Sequence, residues 1–209
     1  RDVLGSRGLG DVYKRQGYFV LPYTIQNYLA DQITVPRFST ELPEFAEAEK
    51  AVQARIDHLM GIKGKKSVDS IHKELGHIMW EYVGMGRTEE GLKTALKLLK
   101  DIRKEFETNL FIPGSTEGVN IELEKALRLN DFITMGELIA YDALNRNESC
   151  GGHFREEYQT EEGEAKRDDE NYFYVSCWEY QGSDDVAPVL YKEPLVYEAI
   201  KVQTRNYKS

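Results

Sequence analysis

Within eight positions, Glu148-Ser149-Cys150-Gly151-Gly152-His153-Phe154-Arg155 gathers a carboxylate, a hydroxyl, a thiol, two glycines, an imidazole and a guanidinium, and Arg167-Asp168-Asp169 follows shortly after. A histidine in a tuned environment transfers protons, and an arginine fork holds a carboxylate through two parallel hydrogen bonds. Paired glycines let the backbone turn sharply or approach another surface closely. His153 and Arg155 point the same way if the backbone between them is extended. The segment therefore reads as a binding seam. The competing reading is a helix stop followed by a polar loop, because glycine is the usual terminator of a helix.

Other groupings of reactive side chains carry less. His72-Lys73-Glu74-Leu75-Gly76-His77 resembles a zinc helix, but its histidines are five apart. At about 100° per residue they project roughly 140° apart, so one face cannot present both to a metal. Met79, Trp80 and Tyr82 have the spacing of a helix crossing a core. The stretch Glu156 to Glu170 holds eight acids. It lacks the alternating ligands and sixth-position glycine of a calcium loop and reads as a solvated loop. Gly8-Leu9-Gly10 has no strand before it and is a weak phosphate-loop signal.

The elements that must position these groups are set by composition and period. At 209 residues, 41% hydrophobic and 30% charged, the chain can bury one or two cores and is not a disordered tail. No apolar run approaches the about 18 residues of a membrane span, so any membrane link goes through partners. A net charge of -9, with basic residues interspersed among acids, excludes nucleic acid as a partner. Two cysteines, Cys150 and Cys177, have no metal-ligand spacing. They fit a reducing cytoplasm, with a disulfide between them as the alternative.

Residues 1–16 have three glycines and no period, and Ser6 to Gln16 looks like the in-frame translation of a transposase sequencing adapter. They are read as a non-native, disordered leader. Without them the chain has 23 Lys and Arg against 34 Asp and Glu, a balance of -11. Residues 17–43 predict a helix from about Pro22 and an extended link at Val35-Pro36. Residues 44–147 predict a helical bundle. Phe45, Ala48, Val52, Ile56, Leu59 and Met60 form one stripe, closed by Gly61 and Gly64. Ser67 caps a second helix carrying Val68, Ile71, Leu75, Ile78, Met79 and Tyr82, and Thr88 caps a third through Leu92, Ala95, Leu99, Ile102 and Phe106. Ile121 to Leu144 is long enough for one or two more. Residues 148–209 hold the motif loop and then aromatic and β-branched stretches, Tyr172 to Tyr180 and Val189 to Thr204, that read as short strands with proline at their edges. The fold class is mainly α, a three- to four-helix antiparallel bundle followed by a small, mostly extended or β segment.

The segment from Glu148 to Arg155 resembles the Glu-Ser-Arg-Gly-Ala/Gly-His-x-Arg-x-Asp pattern, with Arg-Asp-Asp downstream, of the C-terminal domain of bacterial succinate dehydrogenase and fumarate reductase flavoprotein subunits. Gly17-Tyr18-Phe19-Val20-Leu21-Pro22 resembles the stretch after the last flavin-contacting helix of those subunits. The chain departs from the pattern at Cys150, where Arg is usual, at Glu157 for Asp, at Gln159 where Pro is common, and at Tyr174-Val175 where many members have Lys-His. The resemblance implies an oxidoreductase whose complete subunit uses FAD to interconvert succinate and fumarate, with an iron-sulfur subunit passing electrons toward a membrane quinone site. It implies a cytoplasmic location, peripheral on the inner face of the membrane through partner subunits. Residues 17–43 become the end of the flavin-binding domain, and the N-terminal flavin domain is the expected partner of the rest. The fragment itself is expected to be structural, with no catalytic, metal or cofactor ligand and no bound FAD. Glu148, Ser149, Gly151, Gly152, His153, Arg155, Arg167, Asp168 and Asp169 become an interdomain motif, with direct catalysis by His153 and Arg155 as the rival role. Two other readings stay open: a free-standing helical interaction module, and the related C-terminal domain of L-aspartate oxidase.

Overall fold

A computed structural model describes residues 16–183, 186–199 and 201–202. The leader expected over 1–16 lies, apart from Gln16, outside them. The chain divides into two compact units, one ending at Val52 and the other beginning at Gln53.

In the first unit a π-helical turn, Gln16–Val20, leads into α1, Leu21–Leu29, and a 3-10 turn, Ala30–Gln32. Pro22 sits in the first turn of α1, where its missing N–H costs nothing. Tyr18, Phe19, Tyr23, Ile25 and Tyr28 are all exposed. Helix α2, Pro43–Gly61, spans the division between the units.

The second unit is a bundle of α3, Val68–Val83, α4, Glu89–Asn109, and α5, Ile121–Asn145, joined by the last turns of α2. Each helix start is fixed by a side chain that accepts an otherwise orphaned N–H: Ser67 from Ser70, Thr88 from Gly91, and Asn120 from Leu123. Glu89, Glu90, Glu122 and Glu124 place negative charge in the first turns of α4 and α5, where the helix dipole favours it. The α4 stripe Leu92, Ala95, Leu99, Ile102 and Phe106 is buried to the last residue and meets Leu59, Ile71, Leu75, Leu129 and Ile133. Ile121 to Asn145 is one continuous helix. Gly136 lies where a side chain would press on the Met79 sulfur, so it brings α3 and α5 close without breaking α5. The strand pair β1, Lys66–Ser67, and β2, Leu110–Phe111, is parallel and ties the start of α3 to the end of α4.

After α5 come a polar loop, a short helix α6, Asp169–Tyr172, and an antiparallel hairpin of β3, Tyr174–Glu179, and β4, Val189–Pro194. Along β3 the residues Tyr174, Ser176 and Trp178 face inward while Val175, Cys177 and Glu179 are exposed, the alternation of a half-covered strand. A helical bundle followed by a small β segment is the fold class the periodicities predict.

Candidate functional site: a buried clasp at the end of the bundle

The polar segment begins where α5 stops. Arg146 closes the helix by donating its backbone N–H to Asp142 O. Four residues later the chain folds back on itself: Cys150 and His153 exchange both backbone hydrogen bonds, at 2.8 and 3.0 Å, around Gly151 and Gly152. Gly151 has φ +59°, a conformation that a side chain at this turn would strain. The returning strand then lies along the link between α3 and α4. Arg87 N–H donates to Phe154 O and Glu156 N–H to Arg87 O, a parallel bridge that places Arg155 beside Arg87.

Three side chains of the motif are sealed inside. Ser149 Oγ accepts the Arg155 N–H at 2.8 Å and donates to Arg155 O at 3.1 Å, locking the turn from within. Glu148, 2% exposed, accepts from Arg146 Nε through one oxygen and from the Asp168 N–H through the other. Arg155, 0% exposed, donates Nη1 to the Ala143 and Leu144 carbonyls at the end of α5 and Nε to Glu157, while its plane lies over Tyr158. A guanidinium at the negative end of a helix is favourably placed. Its Nη2 is buried without a hydrogen-bond partner. Asp168 caps α6 through Asn171, and Arg167 pairs with Asp169 at the rim. Gly151, Gly152 and Asp169 are exposed, and His153, Arg167 and Asp168 are partly so.

The structure thus brings Glu148, Ser149, His153, Arg155 and Asp168 into one cluster that fastens the tail to the bundle. Glu148, Ser149 and Arg155 spend their hydrogen bonds within this chain. Cys150 and Cys177 are free thiols. His72 stacks on Phe132 with ring centroids 5.4 Å apart. Among the described residues no group of three or more His, Cys, Asp or Glu side chains could hold a metal, and no helix is long and apolar enough to cross a membrane.

His153 has a defined tautomer. Its Nδ1 lies 2.8 Å from Arg87 Nη1 and its Nε2 2.9 Å from Arg146 O. Arginine only donates and a carbonyl only accepts, so Nδ1 is bare, Nε2 carries the proton and the ring is neutral. Burial pushes its pKa below the ordinary 6.5; the Arg146 carbonyl opposes this, and Arg87, Arg155 and Arg146 reinforce it. The unfolded chain therefore binds the proton first. Stability is fully present above pH 6.5 and is lost as pH falls through the folded value. Denaturant unfolding across this range should show that loss. His153→Gln, which can accept from Arg87 and donate to Arg146 O without titrating, should flatten it.

Sequence reasoning did not find Arg87, Asp142, Arg146 and Trp178. Trp178 Nε1 donates to Asp142 Oδ1 at 2.8 Å, pinning β3 to α5, and Arg146 lies over the rings of Tyr172 and Tyr174. A period-two aromatic on β3 facing a polar residue on the last turn of α5 was the available signal for the Trp178 contact.

Fold and site together define a helical domain closed by a buried arginine clasp. Residues 72–207 match the family model described as fumarate reductase flavoprotein C-term. The chain belongs to that family. It is 29% identical over 148 residues to the fumarate reductase flavoprotein subunit of Proteus vulgaris, covering 69% of this chain and 24% of that one. An uncharacterised FAD-dependent oxidoreductase of Methanocaldococcus jannaschii is 31% identical over 112 residues, covering 54% of this chain and 20% of the relative. A solved quinol-fumarate reductase with menaquinol molecules superposes with a TM-score of 0.65 over 80% of this chain and 28% of that chain, at 22% identity, a likeness of fold. The chain thus spans between a fifth and somewhat over a quarter of the length of these three proteins.

Proposed function

We propose that this chain is the C-terminal part of the flavoprotein subunit of a bacterial succinate dehydrogenase or fumarate reductase, and that the complete subunit interconverts succinate and fumarate with FAD. The observation that carries this is the family match, which contains the whole clasp from Glu148 to Asp169. The fold supports a division of labour. Its sheets are two-stranded, and the described residues form no strand, glycine-rich turn and helix on which a dinucleotide could lie. In this reading FAD is held by a separate domain of the subunit. The exposed aromatic residues beside α1 support the reading of residues 17–43 as the end of that domain. An iron-sulfur subunit, and through it a membrane quinone site, complete the proposed assembly, which holds this chain on the inner, cytoplasmic face of the membrane.

In this reading the clasp is a connector and not an active centre. Its buried members hold the tail to the bundle, and Gly151, Gly152 and the open edge of His153 are what it offers to the flavin domain. The test uses the complete subunit, its reading frame extended upstream, with its iron-sulfur partner. It should bind FAD and oxidise succinate or reduce fumarate, whereas oxidation of L-aspartate by oxygen would give the function to the aspartate oxidase branch. His153→Gln and Arg155→Lys should leave turnover per bound flavin within about tenfold. A far larger loss, with flavin content and stability unchanged, would give these residues a direct catalytic role.

A further inference from the structure

The two hydrogen bonds of the His153 ring can both be made only while the ring is neutral. We propose that His153 is an acid-operated latch on the tip of the motif loop: a proton on Nδ1 expels the ring from its place against Arg87 and opens residues 150–153, while the base of the loop stays locked.

Nδ1 accepts from Arg87 Nη1 at 2.8 Å. A proton there would set one donor against another, and arginine has no acceptor to turn toward it. Nε2 donates to Arg146 O in either state, so the conflict falls on the Arg87 side alone. The groups around the ring come from each element packed against it. Arg87 stands in the link between α3 and α4, Asp142 and Arg146 at the end of α5, and Arg155 and the Cys150 thiol in the loop itself; β3 contributes the neutral Trp178. Arg87, Arg155 and Arg146 each oppose a positive ring. The carboxylates are engaged elsewhere: Glu148 by Arg146 and the Asp168 N–H, Glu157 by Arg155, and Asp142 by Trp178 Nε1. Among the described residues no carboxylate bonds the ring.

Of the two sides, the loop tip is the one that gives way. Arg87 is anchored apart from the ring, with Nε on the Val83 and Gly84 carbonyls and its backbone paired to Phe154 and Glu156. The tip is held mainly to itself, through the paired backbone bonds of Cys150 and His153. Gly151 and Gly152 are exposed, and a Cβ on either would meet nothing within 4 Å. At the base, the reciprocal bonds of Ser149 and Arg155 are buried, and Arg155 reaches on to Ala143 O. Opening stops at this lock. It uncovers Cys150, which in the latched loop is half-buried beside His153 in a cleft of about 440 Å³. Burial, reinforced by the three guanidinium groups, holds the latched ring's pKa below 6.5. The open loop therefore binds the proton more tightly, and acid drives opening. In the complete subunit this tip is the edge proposed above to meet the flavin domain; the latch rests on the geometry of this chain alone.

Labelling the thiols of this chain with a dipyridyl disulfide, a reagent that works in acid as well as at neutral pH, tests the latch. Exposed Cys177 is the internal reference, so the ratio of the Cys150 rate to the Cys177 rate removes the reagent's own pH dependence. As pH falls below 6.5 that ratio should climb by about threefold or more and then level off, with the helical circular dichroism unchanged. His153→Gln, which does not titrate, should keep the ratio flat. Arg87→Gln removes the charge and offers an amide oxygen to a protonated Nδ1, so it should shrink the climb and carries the test should the first variant loosen the fold. At neutral pH the ring-nitrogen resonances should report a bare Nδ1 and a protonated Nε2. A flat ratio in the parent chain would overturn the proposal. So would an equal climb in folded His153→Gln, a climb that comes only with loss of helix, or a ring protonated on Nδ1 at neutral pH.

Discussion

Arg155→Ala should destabilise the second unit by about 3 kcal/mol in denaturant unfolding, more than any other single change within the clasp. The side chain is fully buried and bridges three things at once: the last carbonyls of α5, Glu157 in the returning loop, and the Tyr158 ring. Truncation leaves the Ala143 and Leu144 carbonyls short of a donor and opens a void the length of an arginine stem, and each unsatisfied buried group costs about 1–3 kcal/mol. The Arg155 to Glu157 contact adds less, because Glu157 is 39% exposed and water screens it. Arg155→Lys separates charge from shape. It keeps a cation at the helix end and loses the fork that reaches α5 and Glu157 together, so it should recover about half of the loss. Arg155→Met fills the space without charge and relieves the unpartnered Nη2, and it too should be milder than alanine. A loss below about 1 kcal/mol for alanine would mean that the tail is held by the Ser149 and Glu148 bonds alone.

The bundle was legible because its determinants are local. Ser67 and Thr88 announce helix starts within three residues of the N–H groups they accept, and the Leu92 to Phe106 stripe repeats with the turn of the helix that buries it. The helix stop at the motif was legible for the same reason: two glycines after a long helix turn the chain. The motif's partner was not. Arg87 lies 66 residues upstream of His153, and the bridge that joins it to the motif runs through backbone groups, which every residue carries. Nothing in the type or spacing of Arg87 marks it. Arg87 in the link between α3 and α4, Asp142 and Arg146 at the end of α5, and Trp178 on β3 likewise come from three elements that meet only when the tail folds back. The same blindness hid the parallel pair β1 and β2, two residues long and 44 positions apart, which no periodicity can show.

That strand pair supports the second large prediction. Gly64→Ala should cost about 3 kcal/mol although it adds only a methyl group. A Cβ at Gly64 would stand 2.0 Å from both the carbonyl carbon and the oxygen of Asn109. These are backbone atoms at the end of α4, so no side-chain rotation relieves the overlap. The chain there is also tied down: the Gly64 N–H donates to Leu110 O at 3.0 Å and the Lys65 N–H to Asn109 O at 2.9 Å. Relief requires the link after α2 to move off α4, which breaks those bonds and exposes the fully buried Leu59 and Leu110 beneath. Gly61, three residues earlier, is the control: a Cβ there meets nothing within 4 Å. Gly61→Ala should change stability by no more than about 0.5 kcal/mol, as an open site at the end of a helix allows. Equal and small effects at the two glycines would show that the link is free to shift. A large loss confined to Gly64 would show that the close approach of α2's exit to α4 is what seals the bundle at the end opposite the clasp.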